Sequence, residues 1–220
     1  MADKETNPAA MWDDRFARTE PVYGYEPNAY LREQAQKRLI TGARVLVPAD
    51  GYGRNGLWLA KQGFVVTTID MSPVGVERAR NAAKTAGLAP RILLGDLNTW
   101  SWPENEFDAV ASIYLHLPSD QRPCIHKHIW QALKPDGIVI LEAFTPAQLR
   151  LSSGGPKQIE LLYSAELLRR DFAEARVFEL AEIEVELKEG KMHSGKAAVV
   201  RAVFGKSNST NDERPKRLSL

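Results

Sequence analysis

An α/β fold, with a mostly parallel sheet between two helical layers, is what the sequence predicts, and three observations carry it. Short apolar runs alternate with helical patterns from Ala43 to Ala143, the order expected of a parallel sheet with crossover helices. Ala43 to Asp70 (ARVLVPADGYGRNGLWLAKQGFVVTTID) reads as a buried strand, a glycine turn, a helix and a second buried strand that ends on an acid. That is one half of a Rossmann-like nucleotide-binding unit. Two long strand-like runs, Arg176 to Leu187 and Lys196 to Phe204, are joined by a connection too short for a crossover helix, so they pair as an antiparallel hairpin.

The elements follow in order. Residues 1–9 are small, polar and charged, with nothing to bury, and are expected to be disordered. Trp12 and Phe16 give an aromatic face to a short helix over Trp12 to Thr19. Asn28 is a good N-cap for a helix with Leu31, Ala35 and Leu39 on one face and Gly42 at its end. Arg44 to Pro48 is the first strand, Arg54 to Gln62 a helix carrying Leu57, Trp58 and Ala60, and Val65 to Ile69 the second strand. Ser72 and Pro73 are N-cap and N1 of a helix whose inward face is Val76, Ala79, Ala83 and Ala86. Strands follow at Arg91 to Leu94 and Glu106 to Tyr114, then a helix over Asp120 to Lys134. Pro135-Asp136-Gly137 turns into a fifth strand, Ile138 to Ala143. Thr145 to Ile159 reads as loop, Leu161 to Phe172 as helix, and 207–220 as a polar, disordered tail. The organisation is one domain over 10–206, with 10–42 as an N-terminal helical cap.

Composition narrows the functional classes. The chain of 220 residues has 44% hydrophobic and 26% charged residues and a net charge of +1. No basic excess marks a nucleic-acid or anionic-membrane partner. The single cysteine, Cys124, allows no internal disulfide and fits a reducing cytoplasm. The acid-bearing N-terminus has no apolar core of a secretory signal, and no run is long enough to span a bilayer. A soluble, single-domain intracellular protein is the expectation, with its oligomeric state open.

Gly51-Tyr52-Gly53-Arg54-Asn55-Gly56 matches G-x-G-x-x-G, the dinucleotide pattern. Three features point away from NAD. Asp96 closes the third strand, where it suits an adenine amino group; the chain ends in a hairpin rather than a second mononucleotide half; and it is short for a dehydrogenase with its own substrate domain. In its glycine turn with GRN (Gly53-Arg54-Asn55), Asp70, Gly95-Asp96-Leu97, Phe107-Asp108-Ala109-Val110 and Leu133-Lys134-Pro135-Asp136-Gly137, the sequence resembles the class I S-adenosylmethionine-dependent methyltransferases. The nearer resemblance is to their small-molecule branch, with tellurite-resistance-type and thiopurine-type enzymes.

The resemblance implies a seven-stranded sheet with the last strand antiparallel. It implies S-adenosyl-L-methionine as cofactor and a thiol, chalcogen oxyanion, amine or hydroxyl compound as acceptor. It places Asp50, Gly51, Tyr52, Gly53 and Asn55 against the cofactor's methionine part, Asp70 on its ribose and Met71 beside its adenine. Asp96 and Leu97 meet the adenine's amino group and face, Ser112, Ile113 and Tyr114 line the floor near the methyl, and Tyr25 belongs to an N-terminal lid. Val47 and Ala49 depart from the pattern, which has an acid and a glycine there. The rival readings are a non-catalytic S-adenosylmethionine-binding regulator and an NAD-dependent oxidoreductase.

Methyl transfer needs alignment more than proton chemistry, so few catalytic residues stand out. His193, in the hairpin loop, is either a site residue or an exposed turn histidine. His116 either faces the acceptor or fills space under the next helix. Tyr114 completes the catalytic candidates. Tyr23 and Tyr25 either cover the cofactor or pack the N-terminal helix, Arg54 either meets an anion or forms a surface pair, and Trp12 and Phe16 read as core. Gly154-Gly155-Pro156 and Tyr163 are either a mobile cover or an ordinary loop. Cys124, His126 and His128 are two apart on one helix and point to different faces, so no metal set forms.

Overall fold

The structure is a computed structural model that describes residues 8–207. Its centre is one sheet of seven strands: β1 (Arg44–Pro48), β2 (Val65–Asp70), β3 (Arg91–Leu94), β4 (Phe107–Ile113), β5 (Leu133–Phe144), β6 (Arg176–Lys188) and β7 (Ser194–Gly205). The spatial order is β3-β2-β1-β4-β5-β7-β6. β7 runs antiparallel to both of its neighbours, and the first five strands pair in parallel. The expected sheet and closing hairpin are both present.

Alternation along the central strands separates two cores, because successive side chains leave opposite faces. Val45, Val47, Ala109, Ala111, Ile138 and Ile140 pack with Tyr30, Leu31 and Ala35 of α2 (Ala29–Arg38) and Leu59 of α3 (Arg54–Lys61). Leu46, Val110, Val139 and Leu141 face the other way, onto Ile125 and Ile129 of α5 (Arg122–Ala132) and Leu168 of α6 (Ala165–Asp171). α4 (Pro73–Thr85) packs beside α3 over β2 and β3, and α1 (Pro8–Phe16) lies on α4.

The caps follow the side chains that make them. Asn28 accepts from Leu31 N, and Ser72 accepts from Gly75 N with Pro73 at the first helical position, each satisfying an orphan helix N–H. Several boundaries differ from expectation. α1 begins at Pro8 and ends at Phe16, so Pro8 and Ala9 are helical, while residues 1–7 and 208–220 lie outside the described residues. On α3 the fully buried apolar residue is Leu59, not Leu57, Trp58 or Ala60, and the rest of its buried face is Arg54, Asn55 and Gly56. Ala86 of α4 is exposed. Leu133 starts β5 rather than extending α5, because it pairs with Phe107 across the ladder before Asp136 turns at φ +63°. Ser164 caps α6 through Leu167 N, so that helix starts later than Leu161, after a 3₁₀ turn at Ile159–Leu161. A second 3₁₀ turn, Pro146–Arg150, interrupts the expected loop.

Val47-Pro48-Ala49 shapes the top of the sheet. β1 pairs with β2 as far as Pro48, but with β4 only through Val45 and Leu46. Proline has no N–H for a ladder, and it stands where β1 and β4 have already parted. Order reverses at this pair, so the crevice between them is the ligand position of open α/β sheets. Ala49 then turns at φ +54°, followed by Gly51 at +58° and Gly53 at +90°. A left-handed alanine carries backbone strain that glycine does not. Ala49→Gly is therefore expected to raise unfolding free energy by about 0.5–1 kcal/mol, read from urea titration; an unchanged or lower midpoint would show that the turn holds Ala49 without strain.

Candidate active site

The carboxyl ends of β1, β2, β3 and β4 bring most of the sequence-derived cofactor residues to one crevice. Asp70, 7% exposed, closes β2 and accepts Gly51 N at 2.7 Å through one oxygen and Ser72 N at 2.8 Å through the other. It thereby ties the glycine turn to the second strand, and burial pushes its carboxyl up. The turn is tight because neighbours leave no room for side chains: a Cβ on Gly51 would stand 2.6 Å from the Phe16 ring, and one on Gly53 2.9 Å from Ala79. Phe16 is core, as expected, and α1 is docked by Asp13, which accepts from Val74 N at 3.2 Å and from the Ser72 hydroxyl.

Other members bond to groups around them. Asp50 accepts Gly56 N at 2.8 Å and Asn55 N at 3.3 Å, so both oxygens hold the first turn of α3. Burial pushes its carboxyl up to about 7 against those bonds. Asn55 accepts Asn28 N at 2.9 Å, joining α2 to α3. The Tyr52 hydroxyl donates to Gly24 O at 2.8 Å and accepts Tyr23 N at 3.1 Å, strapping the 21–27 segment to the turn. Asp96 accepts Asn98 N and Asn98 Nδ2, both at 2.9 Å and both on Oδ1, while Leu97 beside it is buried and Met71 half-buried. Ile113 is core, and Ser112, 1% exposed at the end of β4, has no hydrogen-bond partner for its Oγ. Tyr25 stands 75% exposed. Tyr23 is the tyrosine that turns inward, because Tyr52 and Arg54 hold its backbone.

Beside the crevice lies a cluster of rings around His193. Tyr23, Tyr114 and Phe144 stand 4.6, 4.5 and 5.3 Å from its ring centre. His193 is buried, not an exposed turn histidine, and burial pulls its imidazole down. Tyr114 sits at φ +52°, stacks on Phe144 and donates to Glu142 Oε1 at 2.8 Å; burial pushes its hydroxyl well up. A bulky residue in the left-handed region is held there only by its surroundings. His116 does not join this group. Its Nδ1 bonds Leu161 O at 2.7 Å and its Nε2 accepts Phe144 N at 3.3 Å, so both nitrogens clasp the segment after β4, and burial pulls it down to about 4.

Tyr163 is fully buried with its hydroxyl accepting Leu117 N, so it is core rather than cover. The glycine loop is pinned through Gln148, which donates to Ser153 Oγ and Gly154 O and accepts from Ala198 N. His126 and Arg122 converge on Asp171 at 2.7 and 2.8 Å. Among the described residues no group of three or more His, Cys, Asp or Glu is placed to hold a metal ion, and no helix is long and apolar enough to cross a membrane.

A buried charge network lies beside these rings. Glu189 Oε2 accepts Arg54 Nη2 at 2.8 Å, and its Oε1 accepts Asn28 Nδ2 at 3.0 Å and Ala29 N at 3.3 Å. Asn28 Nδ2 also donates to Glu142 Oε1 at 2.6 Å, and Arg201 Nε to Glu142 Oε2 at 2.5 Å. Arg54 is thus part of a buried ion pair, neither an exposed anion hook nor a surface pair. Burial raises the Glu189 carboxyl, but His193 and Arg54 outweigh it and bring it down to about 2. Sequence reasoning passed over Glu142 and Glu189. The signal for Glu142 is one acid inside the apolar run IVILEAF; Glu189, in a polar loop, leaves none.

With this geometry in view, comparison with known proteins finds likenesses over parts of the chain. Residues 45–137 match the family described as a methyltransferase domain. A thiopurine S-methyltransferase of Gluconobacter oxydans is 37% identical over 82 residues, 36% of this chain and 36% of that protein. A thiopurine S-methyltransferase of Nitrosospira multiformis is 26% identical over 179 residues, 69% of this chain and 79% of that one. Among solved structures, one described as the conversion of a disulfide bond into a thioacetal group during echinomycin biosynthesis superposes with TM-score 0.73 at 21% identity, covering 93% of this chain and 95% of that chain. The fold is shared with that solved structure, and the methyltransferase-domain match covers residues 45–137. The chain spans about a third to two fifths of the length of the first curated relatives it matches.

The two shifted carboxylates have opposite effects on stability. Asp50 binds its proton more tightly folded than unfolded, so its contribution is present at low pH and falls as pH rises from about 4 to about 7. Glu189 is depressed, so its contribution is present above about 4.5 and lost as pH falls towards about 2. Urea unfolding across pH is expected to show Asp50→Asn removing the decline between about 4 and 7; a variant with the wild-type slope there would remove Asp50 as its source.

Proposed function

We propose that the protein transfers a methyl group from S-adenosyl-L-methionine to a small-molecule acceptor. The observation that carries this reading is Asp70 bonded to Gly51 N–H at the β1/β4 crevice, with the unpartnered Ser112 hydroxyl buried on its far wall. A buried polar atom without a partner is a place for a ligand's polar group. The residues fit the cofactor on the ribose and adenine side: Asp70, Met71, Asp96 and Leu97 hold it there, with the 51–53 turn and Ser112 towards the methyl. On the methionine side the acid usual at position 47 is absent and Asp50 is engaged by α3. The bound cofactor supplies a methyl already activated on a sulfonium.

This chain's residues then have to orient an acceptor and exclude water. The rings of Tyr23, Tyr114 and Phe144 make an apolar wall for it, and His193, held neutral by burial, is the group able to take its proton. The thiopurine S-methyltransferase relatives favour a thiol among the acceptor classes. The even charge balance argues against a nucleic-acid acceptor, and the exposed free thiol of Cys124 fits a cytoplasmic setting.

Calorimetry with S-adenosylmethionine and S-adenosylhomocysteine tests the reading. Binding is expected, and no heat at millimolar ligand would overturn it, while tight NADH binding would revive the oxidoreductase. Asp70→Ala is expected to weaken binding by about 10- to 100-fold, the loss of charged hydrogen bonds worth about 1.5–3 kcal/mol; unchanged affinity would remove Asp70 from the site. In a screen of small thiols, chalcogen oxyanions, amines and alcohols read as S-adenosylhomocysteine release, His193→Ala is expected to lose most turnover. Full turnover in that variant would exclude it as base.

A further inference from the structure

Glu189 joins the three segments that build the site, and the function proposed above leaves it without a task. Its Oε2 faces two groups at once: Arg54 Nη2 at 2.8 Å, from the residue directly after the glycine turn, and His193 Nδ1 at 3.7 Å. Its Oε1 is held by Asn28 Nδ2 and Ala29 N at the start of α2. The carboxylate therefore cannot turn away from the histidine without breaking bonds to two other elements. His193 Nδ1 is buried and has no hydrogen-bond partner. Leaving such an atom unsatisfied costs about 1–3 kcal/mol, and Glu189 Oε2 is the anionic acceptor that stands nearest in the ion-pair geometry.

We propose that Glu189 is the positioning residue of the acceptor base: its carboxylate accepts a hydrogen bond from the Nδ1–H of His193, sets the ring's tautomer and leaves the Nε2 lone pair for the acceptor. This rests on the reading of His193 as base. When an acceptor's heteroatom loses its proton to Nε2, the ring becomes imidazolium, and its new positive charge lies against a carboxylate already ionised by Arg54. Arg54 also bonds Tyr23 O and Glu26 O, at 3.2 and 3.3 Å, so the same pair fixes the segment that carries one of the rings around His193. A hairpin tip, a glycine turn and a helix start thus share one carboxylate.

The charged and titratable groups facing His193 set the sign of the test. Glu189 from the hairpin and Glu142 from β5 favour the protonated ring, while Arg54 from α3 opposes it. Tyr114 and Tyr23 offer rings, and burial pulls His116, after β4, down to about 4. Nitrogen–proton correlation spectra of the histidine rings, with His193 assigned by His193→Asn, read both tautomer and titration midpoint in the chain without ligand. The Nδ1–H tautomer is expected in the wild-type protein. Glu189→Gln is expected to lower the His193 midpoint by ~1 pH unit or more, and Arg54→Met to raise it by a similar amount.

A wild-type ring in the Nε2–H tautomer overturns the proposal, whether or not either variant folds. So does a midpoint that moves in neither folded variant. The measurement needs no S-adenosylmethionine, so failure of cofactor binding, which would remove the proposed function, is read separately from failure of this inference.

Discussion

The parting of β1 from β4 above Leu46 and Val110 is the constraint on which the site depends. Below that level the two strands pair in parallel and their small and branched side chains fill both cores. Above it the backbone leaves the ladder through a proline and a left-handed alanine, and most of the candidate cofactor residues lie around the opening. Asp70 then fixes one side by holding Gly51 N–H, while Asp50 fixes the other by holding the first turn of α3. The two carboxylates are buried close together and each is satisfied by backbone donors, which lets acids occupy so enclosed a place.

The second organising feature is ionic. Glu142 and Glu189 lie beside the rings around His193, and Arg54, Arg201 and Asn28 meet them. Buried ion pairs of this kind add little net stability, since desolvation offsets attraction. Their use here is geometric: they hold the 21–27 segment, the hairpin tip and the glycine turn in one arrangement around His193. Two candidates of the same residue types fall outside it for reasons of bonding. His116 spends both nitrogens on backbone groups, and Tyr25 stands in solvent while Tyr23 is drawn in by Tyr52 and Arg54.

Much of the fold was legible because it is local. The strand at Arg44–Pro48, the caps at Asn28 and Ser72 and the 176–205 hairpin depend on apolar runs and turn residues a few positions apart. The boundaries that moved were decided elsewhere in the chain: Leu133 joined β5 because Phe107 was there to pair with it, and α6 began at Ala165 because Ser164 offers a cap. Of the site, the glycine turn and Asp70 at the end of the second strand were legible from local pattern, and Leu97 entered only through the family resemblance. Val47-Pro48-Ala49 was visible as a departure, and only the register showed that it coincides with the opening of the sheet.

The sequence by itself determined the alternation of strands and helices, the hairpin that closes the sheet and the side of the sheet on which a ligand would sit, since periodicity and turn chemistry act over short range. Tertiary structure alone decided which charges meet. Arg54 and Glu189 are 135 residues apart, and Arg201 and Glu142 are 59 apart. No local pattern relates them, because a buried ion pair is selected by the desolvation cost of leaving either partner alone, and that cost exists only once the chain has folded.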